Sequence, residues 1–368
     1  MRRTMLALAA LSVSAPAYAA VPDCPAYDGE TVAGLPADFA PVAAFPGPPL
    51  EETRQEALAA ALDRAQDATG APAIGAAIMT SEGSWLSADG DKPFAWASVA
   101  KLVTATIVMQ MVEEGRLTLD DSVASHIDGV PGGSDITLAM LLSHTSGLAS
   151  ANEIVREEQL PFPSSLTAEL VLVEERGPLF CPGSGWRYSN TGYAILGAVI
   201  EAVDDADFAV SVRRRIAEPL GLASFRIVTD PADADFARFA PAAGEPEMHP
   251  ARAGSAGGLV ATPRDMARFM QGLLGGALLP TNRLRQMAAT SYPMFDAGTF
   301  YGLGLMIYRL PGADGGTIDW IGHSGGMPGA KAILAYDLDG GTIVAAALTG
   351  NGSAEATANL LLRTASAE

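Results

Sequence analysis

From Ala95 to Val112 the only ionisable side chain is Lys101. Alanine, valine, leucine, isoleucine and methionine fill most of that stretch, with no Gly or Pro, so it reads as a helix that is apolar on nearly every face. A helix of that kind is buried, and enclosing it commits the chain to a large core. An ammonium inside such a helix is costly unless it is partnered or loses its proton. Ser98 precedes Lys101 by three residues, one helical turn away on the same face. A hydroxyl beside a lysine in low dielectric is what an activated serine nucleophile needs. Two simpler readings compete. Ser98 can cap the helix while Lys101 snorkels outward, or the run can span a membrane. Lys101, Gln110, Thr104 and Thr106 fall inside the run and oppose the second.

The chain has 368 residues, enough for a full core and two lobes, and its 49% hydrophobic content is that of a folded protein. A formal net charge of −19 argues against nucleic acid or an anionic membrane surface as a partner. Arginines outnumber lysines 20 to 3, which gives Lys101 added weight, because lysine can act as a base at neutral pH and arginine cannot.

Residues 1–19 read as a secretory signal peptide: Arg2 and Arg3, an apolar run over 5–13, then Ala17-Tyr18-Ala19 at the cleavage positions. The expectation is a periplasmic or secreted protein, cut near Ala19 or Ala20, with no membrane segment after cleavage. Export makes the only two cysteines, Cys24 and Cys181, a candidate disulfide; two unpaired thiols are the alternative.

Residues 20–50 read as an extended arm. A helix over 51–69 and a hairpin over 73–79 and 84–88 follow. Helical patterning then dominates, at 138–143, 167–175, 190–203, 208–220, 263–274 and 282–290. Strand patterns return at 302–309, 330–336 and 342–348, before a helix over 354–364. Strands at both ends with helices between predict an α+β fold. Residues 51–121 and 301–368 form an antiparallel sheet flanked by terminal helices, and 122–300 an inserted helical domain, with the site in the cleft between them.

Two further motifs fall along the chain. Tyr188-Ser189-Asn190 opens the 190–203 helix, where a packed tyrosine and a capping serine or asparagine would be unremarkable. His323-Ser324-Gly325-Gly326 precedes the 330–336 strand and by itself reads as a Gly-rich turn. In order, Ser-x-x-Lys, Tyr-x-Asn and His-x-Gly resemble the serine β-lactamase and penicillin-binding-protein superfamily, most of all the branch of class C β-lactamases, D-alanyl-D-alanine carboxypeptidases and related esterases. The stretches Leu141 to Leu148 and Ala256-Gly257-Gly258-Leu259 are also similar to that branch.

The resemblance implies an acyl-enzyme on Ser98, with Lys101 as base or positioning group. Tyr188 would be base or proton donor, its phenol acidified by the nearby ammonium. Asn190, His323, Ser324 and Gly325 would bind substrate, and the backbone N–H groups of Ser98 and Gly326 would form the oxyanion hole. The implied substrate is a small ester, a D-amino-acid amide or a peptidoglycan-like peptide; no cofactor is implied. The β-lactamases carry Lys-Thr-Gly where this chain has His323-Ser324-Gly325, so a group titrating near neutrality replaces a permanent cation. That ranks ester or D-amino-acid amide hydrolysis above β-lactam hydrolysis, and predicts a KM for anionic substrates that rises as His323 loses its proton. A β-lactamase proper, or a silent receptor or scaffold, is the alternative. Substrate choice is expected in loops over 151–165 and 226–252.

Gly322-His323-Ser324-Gly325-Gly326 also matches the Gly-x-Ser-x-Gly elbow of α/β-hydrolases, but that fold needs a histidine after the serine and none follows His323. The histidines at 126, 144, 249 and 323 are scattered, without zinc-ligand spacing, so no metal site is expected. His144, in a turn after a short helix, reads as structural.

Overall fold

A computed structural model of the chain describes residues 24–35, 47–237, 248–295, 298–311 and 317–367. The expected signal peptide lies outside them, as do parts of the expected arm and of the 226–252 loop. The strands in chain order are β1 (Val32–Ala33), β2 (Ile74–Met79), β3 (Ser84–Leu86), β4 (Phe94–Ala95), β5 (Arg226–Ile227), β6 (Leu259–Ala261), β7 (Thr290–Pro293), β8 (Thr299–Tyr301), β9 (Met306–Pro311), β10 (Thr317–Met327), β11 (Ala330–Asp337) and β12 (Thr342–Thr349). The helices are α1 (Glu52–Thr69), α2 (Ala100–Glu113), α3 (Leu138–Leu142), α4 (Ala151–Glu158), α5 (Leu166–Arg176), α6 (Asn190–Asp204), α7 (Phe208–Val212), α8 (Glu218–Leu220), α9 (Gly254–Gly257), α10 (Pro263–Leu274), α11 (Thr281–Met287) and α12 (Ala354–Ala365).

Nine strands form one antiparallel sheet in the order β1-β7-β8-β9-β10-β11-β12-β2-β3. Its centre is buried on both faces, so its strands read as unbroken apolar runs. In β12, Ile343, Ala345 and Ala347 join the core shared with the helical lobe. Val344, Ala346 and Leu348 join the core beneath α1 and α12. The period-two pleat divides the strand between two cores.

Between the two halves of the sheet the chain makes the helical lobe, around α2. Every residue from Ala100 to Met109 is buried. Local signals close the surrounding helices: the side chains of Thr137, Ser165, Ser189 and Thr262 accept hydrogen bonds from the first-turn N–H groups of α3, α5, α6 and α10.

Four departures from expectation follow from tertiary contacts. The stretch 317–327, whose glycines suggest a turn, is an eleven-residue strand. Part of the expected substrate loop over 151–165 is α4. The sheet begins at β7 and β8, inside the stretch assigned to the helical domain, and β1 of the arm pairs with β7 at its edge. A second, three-stranded sheet, β4-β6-β5, lies beside the main one. Strands of two or three residues carry too little periodicity to be read in advance. No described helix is long and apolar enough to cross a membrane.

Cys24 and Cys181 form a disulfide, with Cα atoms 5.6 Å apart. It ties the arm to the loop that leads into Tyr188, and Tyr27 packs edge-on against Tyr292 on the same side. The bridge joins positions 157 apart, so the chain-entropy account gives it up to about 5 kcal/mol of stability. The double variant Cys24→Ser/Cys181→Ser should therefore unfold at clearly lower urea concentration than the oxidised protein. An unchanged midpoint would show that the bridge contributes nothing.

Candidate active site

Ser98 lies in a 3₁₀ turn, Ala97–Val99, that runs directly into α2. Trp96 anchors the turn: it is fully buried, its indole N–H donates to the Ala261 carbonyl at 2.9 Å, and its backbone N–H donates to Leu259 at 2.9 Å. Ala97 has a φ of 45°, a left-handed conformation that costs a non-glycine residue on the order of 1 kcal/mol. This bend leaves Ser98 partly open to solvent while its neighbours on both sides are buried.

Lys101 is fully buried one turn along. Its Nζ lies 3.1 Å from Ser98 Oγ and donates to the Ala256 carbonyl at 2.6 Å. Among the described residues it has no carboxylate partner, and burial holds its pKa well below the ordinary lysine value. Burial therefore favours the neutral amine, the form whose lone pair can serve the serine.

Tyr188 comes from the opposite wall. Its ring centroid is 4.9 Å from Lys101 Nζ, and its hydroxyl is hydrogen-bonded with Ser98. Burial pushes the phenol above its ordinary range, and the bond to Ser98 offsets only part of that. The shift is thus opposite to the expected acidification: burial favours the neutral amine at Lys101 and the protonated phenol at Tyr188. His144 supports the ring. It sits 4.2 Å from Tyr188 between centroids, and its Nδ1 accepts the Ser189 N–H at 3.2 Å.

The third motif lies on β10. Pairing with β9 stops at Gly322 opposite Met306, whereas pairing with β11 continues to Met327 opposite Ala330. From His323 to Gly326 one edge of β10 is therefore free of a described strand, and it runs beside the Ser98 turn. A Cβ on Gly325 would stand 2.3 Å from the Trp96 carbonyl oxygen and 2.8 Å from the Ser98 nitrogen. Only glycine permits that approach of two backbones.

The cleft is lined by Ser98, Asn190, Gly326, Asn152, Glu169 and Arg252, with apolar contributions from Phe162 and Met248. Asn190 begins α6, its N–H donating to Ser150 Oγ at 3.2 Å. His323 does not belong to this lining. It is fully buried, its Nδ1 is 2.5 Å from the Ser324 carbonyl and its Nε2 is 3.1 Å from Tyr301 Oη. Burial pushes its pKa down to about 3, so the expected cation near neutrality is absent and its titration cannot govern KM there. The Ser324 hydroxyl is likewise directed toward Met306, 3.7 Å from its Sδ, rather than into the cleft.

Sequence reading singled out none of Asn152, Glu169 and Arg252, because single polar residues on separate elements carry no spacing that marks them, although Asn152 and Arg252 fall within the stretches 151–165 and 226–252 expected to carry substrate choice. The Ala256 carbonyl was signalled only by the resemblance of the stretch around it. Among the described residues no group of three or more His, Cys, Asp or Glu side chains could hold a metal ion.

The chain and its fold are similar to known proteins. Residues 58–367 match the family model described as Beta-lactamase. Penicillin-binding protein 4 of Amycolatopsis lactamdurans is 30% identical over 299 residues, covering 74% of this chain and 76% of its own. Esterase EstB of Burkholderia gladioli is 32% identical over 150 residues, 36% of this chain and 38% of its own. Among solved structures, a D-stereospecific amidohydrolase from a Streptomyces species superposes with a TM-score of 0.72 at 28% identity, over 84% of this chain and 98% of that one. The D-amino acid amidase of Ochrobactrum anthropi SV3, complexed with L-phenylalanine amide, gives 0.73 at 25% identity, over 85% and 98%.

Two measurements check the site. Unfolded protein binds a proton on Lys101 that the folded protein refuses, between the lowered folded-state pKa and about 10.4. Wild-type stability should therefore gain on that of Lys101→Met by up to about 1.4 kcal/mol per pH unit as pH rises through that window. A pH-independent difference would place the charged form in the folded protein. On β10, Gly325→Ala should lower the melting temperature more than Gly326→Ala, whose Cβ would meet only the flexible Lys331 side chain, at 3.1 Å from Nζ. Equal effects would contradict the close backbone approach.

Proposed function

The chain belongs to the β-lactamase family of serine hydrolases, and on that premise we propose that it is an exported enzyme hydrolysing small esters or D-amino-acid amides through an acyl-enzyme on Ser98. The observation that carries the reading is the 3.1 Å approach to Ser98 Oγ of a fully buried Lys101 Nζ with no carboxylate partner among the described residues. As Ser98 Oγ attacks the substrate carbonyl carbon, the Lys101 lone pair takes its proton. The carbonyl oxygen becomes an oxyanion, held by the backbone N–H groups of Ser98 and Gly326, donors worth about 3 to 4 kcal/mol each where measured in other enzymes. Tyr188, a neutral phenol bonded to Ser98, hands a proton to the departing alcohol or amine and is reprotonated from the Lys101 ammonium. Water then attacks the acyl-enzyme carbonyl with Lys101 again the base, and as the bond to Ser98 Oγ breaks and the acid departs, the Lys101 ammonium returns that proton to Ser98 Oγ.

Substrate class rests on two supports. Two relatives carry the name esterase, and two structural neighbours are described as a D-stereospecific amidohydrolase and a D-amino acid amidase. The neutral, buried His323 also leaves the third motif without the permanent cation that suits a β-lactam carboxylate. Export is supported by the Cys24–Cys181 bridge, a bond of oxidising compartments, together with the leader-like first residues.

A fluorophosphonate should add once to the intact protein, on Ser98, and not to Ser98→Ala. With esters and D-phenylalanine amide, kcat/KM should exceed that with nitrocefin by at least about tenfold, a difference of ~1.4 kcal/mol in barrier. No adduct on Ser98 would remove the acyl-enzyme reading, and nitrocefin as the preferred substrate would reverse the substrate assignment.

A further inference from the structure

Among the described residues Glu169 is the one acidic side chain in the cleft lining, and the mechanism above does not use it. It stands in the first turn of α5, where a carboxylate favours the helix dipole, but an exposed side chain would serve that purpose equally well. Instead it is half-buried against the wall that carries Asn190, and Thr191 Oγ1 donates to its Oε2 at 3.2 Å. A carboxylate offers about four acceptor positions. Among the described residues the Thr191 hydroxyl fills one, and no cation pairs with the group. Arg252, the cleft's other ionisable wall residue, likewise has no described ion pair and does not neutralise it.

An acceptor-only anion, half removed from water and facing the space beside a nucleophile, is matched by a ligand bearing N–H donors and positive charge. We propose that Glu169 is a specificity-determining residue that receives the ammonium of an aminoacyl substrate. The assignment rests on the acyl-enzyme reading and narrows it. Glu169 and Asn190, a substrate-binding residue by the family resemblance, line the same cleft, and the proposal places the ammonium on the acyl portion rather than on the leaving group. The favoured substrates are then esters or amides of amino acids, and plain alkanoyl esters are poorer. Burial raises the Glu169 pKa from its ordinary value, so this preference falls on acidification as the carboxylate takes up a proton.

The test compares D-phenylalanine methyl ester with methyl 3-phenylpropionate, which lacks only the amine, at mildly acidic pH where the amine is protonated. Wild type should favour the amino ester in kcat/KM by at least about tenfold, as charge-assisted hydrogen bonds do. Glu169→Gln keeps the shape and the Thr191 contact, and should bring the ratio to within about twofold of unity. In wild type alone, the ratio should shrink as pH is lowered further. A wild-type ratio near one, a ratio that survives Glu169→Gln, or a ratio that does not change on acidification would each overturn the proposal. Failure of the underlying reading looks different: neither ester is hydrolysed and no fluorophosphonate adduct forms on Ser98.

Discussion

The site depends on an amine kept in the core with no charge to balance it. Lys101 reaches the Ala256 carbonyl at 2.6 Å and Ser98 at 3.1 Å, and burial holds its pKa well below the ordinary lysine value. Neither contact would have this effect in water, where lysine is charged and a serine hydroxyl beside it is an ordinary alcohol. The surrounding lobe is tied together at the same point. Thr104, one turn further along α2, donates to the Ser255 carbonyl at 2.7 Å, and Ser255 Oγ donates to the Tyr193 carbonyl at 2.8 Å. A Cβ on Gly197 would stand 2.3 Å from Ser255 Oγ, so α6 and α9 are in contact directly behind the lysine. Three helices converge there, and their packing keeps water from the amine.

The sheet supplies the other half of the arrangement. β10 passes so close to the Ser98 turn that Gly325 faces the Trp96 carbonyl and the Ser98 nitrogen with no room for a side chain. On its other side a Cβ on Gly322 would stand 1.9 Å from the Leu334 carbonyl oxygen. Backbone thus meets backbone closely both at β11 and at the nucleophile turn, and beyond Gly322 the edge not paired with β11 has no described strand beside it. The aromatic group of His144, Tyr188, Tyr193 and Tyr301 then fixes the phenol over the amine.

The parts of this that sequence reveals are those dictated by burial on a regular period. α2 and its solitary lysine are legible because a helix apolar all round has nowhere to go but the core. β2, β11 and β12 are legible because strands buried on both faces are continuous apolar runs. β10 is hidden because the glycines demanded by backbone contact look like turn residues, and nothing local shows which backbone they must admit. The electrostatics of the site were misjudged for a related reason. The pKa values of Lys101, Tyr188 and His323 are shifted by desolvation from elements far away in the chain, which lowers the amine, raises the phenol that was expected to be acidified, and takes His323 away from neutrality. Glu169 has no motif to betray it; only the packing of α5 against α6 brings it to the cleft.

The protonation state of Lys101 is the claim on which the rest stands, and the chain holds only two other lysines, Lys92 and Lys331. Titration of lysine labelled with carbon-13 at the ε position, followed by NMR, reads all three separately. The account predicts one resonance, absent from Lys101→Met, that titrates well below the ordinary lysine value near 10.4. If the Lys101 resonance titrates at or above that value, the buried amine is an ammonium and the serine has no base.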